Sequence, residues 1–212
     1  MKMPPIEDTG GKRRWIIMCD GFSLKAGFQE VAEYFRIDQV INGVPERELF
    51  KPTEDIPLIT GKNGNRSLDL YAWGIFPFWA KDSINARSES IRDHHAYKQI
   101  FAKQRGIVPC DAFYFRVPLA KKKEKLVRVE LTNRSFCGLA ALYDIWVSPS
   151  GSEYRMCTIL TTPPSGGSSP NRLPLVLDEE GMELWLEVQN KNDARIPGLL
   201  RPMREEMFQI RA

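Results

Sequence analysis

A chain of 212 residues, 42% apolar and 27% charged, has room for one well-filled domain and an appended arm, and its composition excludes a fibrous or low-complexity protein. It holds no apolar run near the roughly 18 residues of a membrane span, and the patch "KRRWIIM" at 12–18 is too short for the core of a secretory signal, so a cytoplasmic protein is expected. The net charge of +3 is modest but uneven: residues 116–128 carry six basic side chains and one acid, residues 81–105 six and three, and residues 178–187 five acids and no base. That asymmetry suits a polyanionic partner on one face, and equally suits solvated loops and helix faces.

In chain order, residues 15–19 read as a short strand. Ser23 precedes a helical stripe of Phe28, Val31, Ala32 and Phe35 at i, i+3, i+4 and i+7. "IPLIT" and "SLDLYAWG" flank Asn63-Gly64, the dipeptide of a tight hairpin, and the alternation of Leu68, Leu70 and Ala72 predicts one buried face. Asp93 is placed to cap a helix through Gln104 with Tyr97, Ile100 and Phe101 inward. Residues 107–116, 125–131, 135–147 and 153–161 read as successive strands, and 162–172 as a Gly/Pro/Ser-rich loop. Asp178 then caps a helix whose inner face carries Met182, Trp185 and Leu186. Helices set among antiparallel strands predict a single α+β domain over 19–212, with residues 1–18 as an extension.

Cys19, Cys110, Cys137 and Cys157 show neither paired metal-ligand spacing nor a disulfide framework, so each reads first as a small buried hydrophobe, and no metal or cofactor is expected. Cys19 follows Met18, which leaves two readings open. An internal cysteine has its nitrogen in a peptide bond; a cysteine at a chain start beginning at Met18, once that methionine is removed, carries a free amine beside its thiol.

The segments "MCDGF" at 18–22, "WGIFPFWAKDSINARSES" at 73–90, "IVPCDAFYFR" at 107–116, "NRLPLVL" at 171–177 and "LLRPMREEM" at 199–207 resemble, in order and spacing, the SOS-response-associated peptidase (SRAP) family of abasic-site processing proteins. The resemblance implies a branched, mostly antiparallel, barrel-like sheet with surrounding helices and a groove for single-stranded DNA. It implies that an N-terminal cysteine condenses through its amine with the aldehyde of an abasic site and closes a thiazolidine ring through its thiol, leaving a DNA–protein crosslink. Cys19 matches the nucleophile, Asn85 the residue that orients the sugar, and Arg87 a phosphate contact near the lesion. Arg172 is a further DNA contact expected on the same grounds, and Trp73, Phe76, Phe78 and Trp79 offer faces on which unstacked bases could stack, with core packing the alternative for at least two of the four. The side-chain chemistry agrees: an Asn amide both donates and accepts, and a guanidinium two residues along a strand points to the same side and grips phosphate with two parallel bonds.

The sequence also departs from the family pattern. Phe115 stands where the family has a catalytic Glu, Pro170 where it has a His, and neither side chain moves a proton. "CDGF" lacks a phosphate-binding Arg, and Leu49 stands at an expected Asn. With eighteen residues before it, Cys19 also lacks a free amine unless translation starts at Met18 or self-cleavage releases it. The expectation is therefore a divergent member of the DNA damage (SOS) response that binds single-stranded DNA, with the crosslinking chemistry in doubt. A catalytically inactive DNA-binding paralogue is one alternative. The other is an unrelated thiol hydrolase using Cys19 or Cys110 with His94 or His95.

Overall fold

The computed structural model describes residues 19–75, 83–118, 124–163, 172–188, 194–202 and 207–211. In chain order the elements are β1 (Gly21–Leu24), α1 (Phe28–Phe35), β2 (Gln39–Val40), β3 (Arg47–Phe50), β4 (Asp55–Lys62), β5 (Asn65–Trp73), β6 (Asn85–Arg87), α2 (Lys98–Lys103), β7 (Arg105–Cys110), β8 (Ala112–Pro118), β9 (Glu124–Leu131), β10 (Cys137–Val147), β11 (Glu153–Thr162), β12 (Leu173–Pro174), β13 (Val176–Leu177), α3 (Glu179–Leu186), α4 (Ile196–Leu199) and β14 (Phe208–Arg211).

β11, β10, β7, β4 and β5 pair antiparallel in that order. β5 then returns to β11 through parallel pairing of Ala72 with Met156 and Trp73 with Cys157. That return closes five strands into a barrel and leaves no free edge among them. β6 and β12 join β11, β13 joins β10 and β2 joins β5, so the sheet branches where the chain crosses itself. A second antiparallel sheet runs β14-β9-β8-β1-β3. The fold is thus the α+β, branched and mostly antiparallel barrel expected.

Local chemistry explains the sharpest features. Asn63 and Gly64 both adopt positive φ, 53° and 82°, as a two-residue hairpin matched to strand twist requires, and β4 pairs with β5 from Lys62–Asn65 back to Asp55–Ala72. The Asp178 carboxylate accepts the Gly181 N–H at 2.7 Å and starts α3 where expected. Gly138 lets that helix lie on the barrel, since a Cβ there would stand 2.7 Å from Met182 Sδ and 2.8 Å from Ile107 Cγ2.

One buried cation ties these layers together. Arg105, 1% exposed, donates to the carbonyls of Trp185 (2.7 Å), Glu187 (3.0 Å) and Phe101 (3.2 Å). Its guanidinium also lies over the rings of Phe101 and Trp185, so charge, helix ends and aromatic core are satisfied by one side chain.

Of the strand read at 15–19, residues 15–18 lie outside the described residues; Cys19 is not in a strand, and the first strand among the described residues is β1, from Gly21. Three expectations are corrected. Asp93 does not cap α2: the chain turns from 88 to 97, with the backbone N–H groups of Asp93 and His94 both donating to the Ser90 carbonyl, and α2 starts at Lys98. The run 107–116 breaks at Asp111, whose carboxylate accepts from the Lys25 N–H (2.6 Å) and Arg128 (3.1 Å), so β7 belongs to the barrel and β8 to the second sheet. β5 is packed on both faces, with Leu68 and Tyr71 buried while Leu70 and Ala72 are only half-buried. No helix among the described residues is long and apolar enough to cross a membrane.

Candidate functional site

β6 is only three residues long and is held by its surroundings. The Trp73 indole N–H (2.9 Å) and the Thr158 hydroxyl (3.0 Å) both donate to the Ile84 carbonyl, just before the strand. β6 then runs parallel to β11, with Asn85 beside Ile159 and Arg87 beside Thr161. The Thr161 hydroxyl donates to the Ala86 carbonyl at 3.2 Å, and the Ser88 N–H donates to the Thr161 carbonyl. Strand alternation therefore sets Asn85 and Arg87 on one side, Asn85 buried at 3% and Arg87 reaching solvent.

The Asn85 side-chain amide donates to the Cys19 carbonyl at 3.1 Å. Asp20 makes that contact possible. Its N–H continues the β1–β8 ladder to the Tyr114 carbonyl, but at the next step the Arg116 N–H donates to the Asp20 carboxylate at 3.1 Å. The carboxylate supplies the acceptor at the ladder's end, and the Cys19 carbonyl is turned to Asn85. Burial pushes the Asp20 carboxyl above its ordinary value, against the Arg116 amide and guanidinium. Asn85 Oδ1 is buried and has no hydrogen-bond partner among the described residues. An acceptor held in that state is costly unless something donates to it.

Cys19 itself is 1% exposed, its thiol 3.5 Å from the Gly21 carbonyl. Burial pushes that thiol up to about 12, so at neutral pH it is protonated and a poor nucleophile. Phe115, at the family's Glu position, is 3% exposed and packs in the core, where it moves no proton. Leu49 stands against Gly21, and a Cβ on that glycine would meet Leu49 Cδ1 at 2.6 Å. Pro170, Phe76, Phe78, Trp79 and the run Lys121-Lys122-Lys123 lie outside the described residues.

Two of the expected DNA contacts are buried. Trp73 is 0% exposed, tilted against Phe22 at 5.7 Å, and offers no face to a base; its role is to position Ile84 and hence Asn85. Arg172 is 8% exposed, and its fork is filled: two 2.7 Å bonds to the Glu89 carboxylate, one of 3.0 Å to the Thr161 hydroxyl and one of 2.7 Å to the Thr161 carbonyl. A phosphate would have to displace Glu89 to reach it. Sequence reasoning missed Glu89, Thr161 and Asp20 as the residues that brace the site; only the closeness of Glu89 to Arg87 hinted at one of them.

Burial, the largest single influence, would raise the Glu89 carboxyl, but the bond from Arg172, the Glu89 backbone N–H and the charges of Arg172 and Arg87 together outweigh it and hold the group below the usual carboxylate range. Its contribution to stability is full above the ordinary carboxyl pKa and is lost as pH falls through the depressed value. Glu89→Gln should therefore destabilise the protein at pH 7 and flatten its loss of stability below about pH 4.5. Urea unfolding from pH 3 to 7 checks this; parallel curves for both proteins would refute it.

The thiol-hydrolase alternative finds no support in the geometry. His94 and His95 sit exposed on the 88–97 turns, and burial raises the thiols of Cys19 and Cys110. Among the described residues, no group of three His, Cys, Asp or Glu side chains is arranged to hold a metal.

The sequence model of the SOS response associated peptidase (SRAP) family matches residues 18–212. The chain belongs to this family. The SRAP match begins one residue before Cys19. The chain is 31% identical over 198 residues to "Abasic site processing protein YoqW" of Bacillus subtilis, covering 87% of each chain. It is 30% identical over 195 residues to "Abasic site processing protein YoaM" of the same organism, covering 87% and 86%. Its fold is that of a crystallised protein from Bacteroides thetaiotaomicron (TM-score 0.77, 22% identity, 91% and 90% covered) and of a phage-related protein from Bordetella bronchiseptica (TM-score 0.71, 20% identity, 91% and 93% covered).

Proposed function

We propose that this SRAP protein acts in DNA damage by holding single-stranded DNA at abasic sites, with Asn85 facing the lesion and Arg87 a neighbouring phosphate. The observation that carries this reading is the buried, unpartnered Oδ1 of Asn85 beside the Cys19 carbonyl, an acceptor suited to a sugar hydroxyl or an amine. The names of the relatives, all abasic-site processing proteins, favour the same lesion.

In this reading residues 19–212 are the DNA-binding domain and residues 1–18 an extension that controls chemistry. A primary amine condenses with the open-chain aldehyde of an abasic site, releasing water and forming an imine. The neighbouring thiol then adds across the C=N bond, its proton passing to nitrogen, to close a thiazolidine. With Met18 attached, the Cys19 nitrogen is an amide and the first step has no nucleophile. The full chain therefore shields the lesion without a covalent bond.

The test is binding of the full chain to single-stranded oligonucleotides, intact or with one abasic site, at several salt concentrations. Arg87→Ala should weaken binding by about 3- to 10-fold and lower the salt slope by about one counterion. Equal affinity for intact and abasic strands, with no effect of Arg87→Ala, would defeat the reading.

A further inference from the structure

Two thiols outside the proposed site face each other in the barrel wall. Cys110 is the last residue of β7 and Cys137 the first of β10, directly opposite in antiparallel register. Their Sγ atoms lie 3.0 Å apart, both residues are buried, and neither is in a disulfide. Opposed residues of an antiparallel ladder have Cα atoms roughly 4.5–5.5 Å apart, inside the span of about 4.4–6.8 Å that a disulfide bridges, so side-chain rotation alone can join them.

We propose that Cys110 and Cys137 form a redox site, which a peroxide oxidises to a cross-strand disulfide locking β7 to β10. One sulfur attacks a peroxide oxygen, becoming a sulfenic acid as the second oxygen leaves as water. The other thiol attacks that sulfur, its proton leaving with the hydroxyl as a second water. Two thiols thus lose two protons and two electrons, and one hydrogen peroxide becomes two waters. A dithiol reverses the step by exchange.

Neither thiol reaches solvent, but a cavity of about 440 Å³ lies at the end of the ladder, lined by Asp111, which follows Cys110, and by Arg134 and Ser135, shortly before Cys137. Burial disfavours the Cys110 thiolate, so oxidation is slow and follows local opening of the strand ends. The bond would close a loop between residues 27 apart that contains all of β8 and β9. β8 pairs with β1 shortly after Cys19, so the disulfide would brace the wall beside the proposed site.

The test uses the full chain, treated with hydrogen peroxide, denatured and alkylated with iodoacetamide. The number of alkylated cysteines should fall from four to two, with a peptide linking Cys110 to Cys137. Tm should rise by about 5–10 °C and return with dithiothreitol, as expected for a loop of this size. Cys110→Ala and Cys137→Ala should each abolish the linked peptide and the Tm rise. If one variant folds poorly the other serves as the control, and the peptide map of the unmodified chain depends on neither. Persistence of four alkylated thiols, or a link to Cys19 or Cys157 instead, would overturn the proposal.

Discussion

On a denaturing gel, the full chain mixed with single-stranded DNA bearing one abasic site should leave no heat-stable shifted band. Its Cys19 nitrogen is acylated, and the buried thiol, held near 12, has no amine beside it to make a ring. At most it adds reversibly to the aldehyde, and heat undoes that. The same gel run with a chain begun at Met18 and freed of its methionine isolates the contribution of the extension. A band from that chain alone, lost in Cys19→Ser, would assign the family's covalent chemistry to the exposed aminothiol and make a carboxylate at position 115 dispensable. No band from either would leave a protein that binds without bonding, as the loss of proton-transfer groups worth roughly 10²–10⁴-fold each would predict. A band from the full chain would overturn the amine requirement itself.

Arg105→Ala should be the most damaging single change to stability, costing about 3 kcal/mol or more. It strips donors from three carbonyls at the ends of α2 and α3 and removes the cation lying over Phe101 and Trp185. For a chain of this size that is a Tm lower by about 10 °C. Arg105→Lys keeps the charge but loses the fork and should fall between. Thermal unfolding followed by circular dichroism reads the effect; a shift under about 2 °C would mean that water satisfies those carbonyls instead.

What the sequence made legible depended on short range. Asn63-Gly64 and Asp178 act within three or four residues of themselves, and both did what their chemistry predicts. Order and spacing of the motifs were enough for the family, and alternation was enough to put Asn85 and Arg87 on one side of a strand. The sequence leaves Trp73 between stacking and core packing because an aromatic in a motif reads the same whether it faces solvent or the barrel; the pairing of Trp73 with Cys157 puts it inside. The pairing of Arg172 was not legible, because nothing in the sequence says that Glu89, 83 residues away, meets its fork. Asp93 has the chemistry of a cap, but the chain spends the next residues in turns that keep β6 on β11, and tertiary pairing outweighed local preference. The Cys110–Cys137 pair was invisible for the same reason, since its register is set by the barrel rather than by spacing.

The parallel closure of β5 and β6 onto β11 has a consequence for when the site exists. The hairpin of β4 and β5 forms from neighbours in sequence, but Asn85 also needs Ile159 and Thr161 of β11 for its frame, and its partner Cys19 lies 66 residues back. Contacts of such separation form late, after the loop-closure entropy of the intervening chain has been overcome. During synthesis, therefore, the Cys19–Asn85 platform cannot assemble until β11 has left the ribosome. A nascent or truncated chain ending before residue 153 would have its barrel open and no Cys19–Asn85 platform, so the proposed engagement of damaged DNA would itself report completed folding.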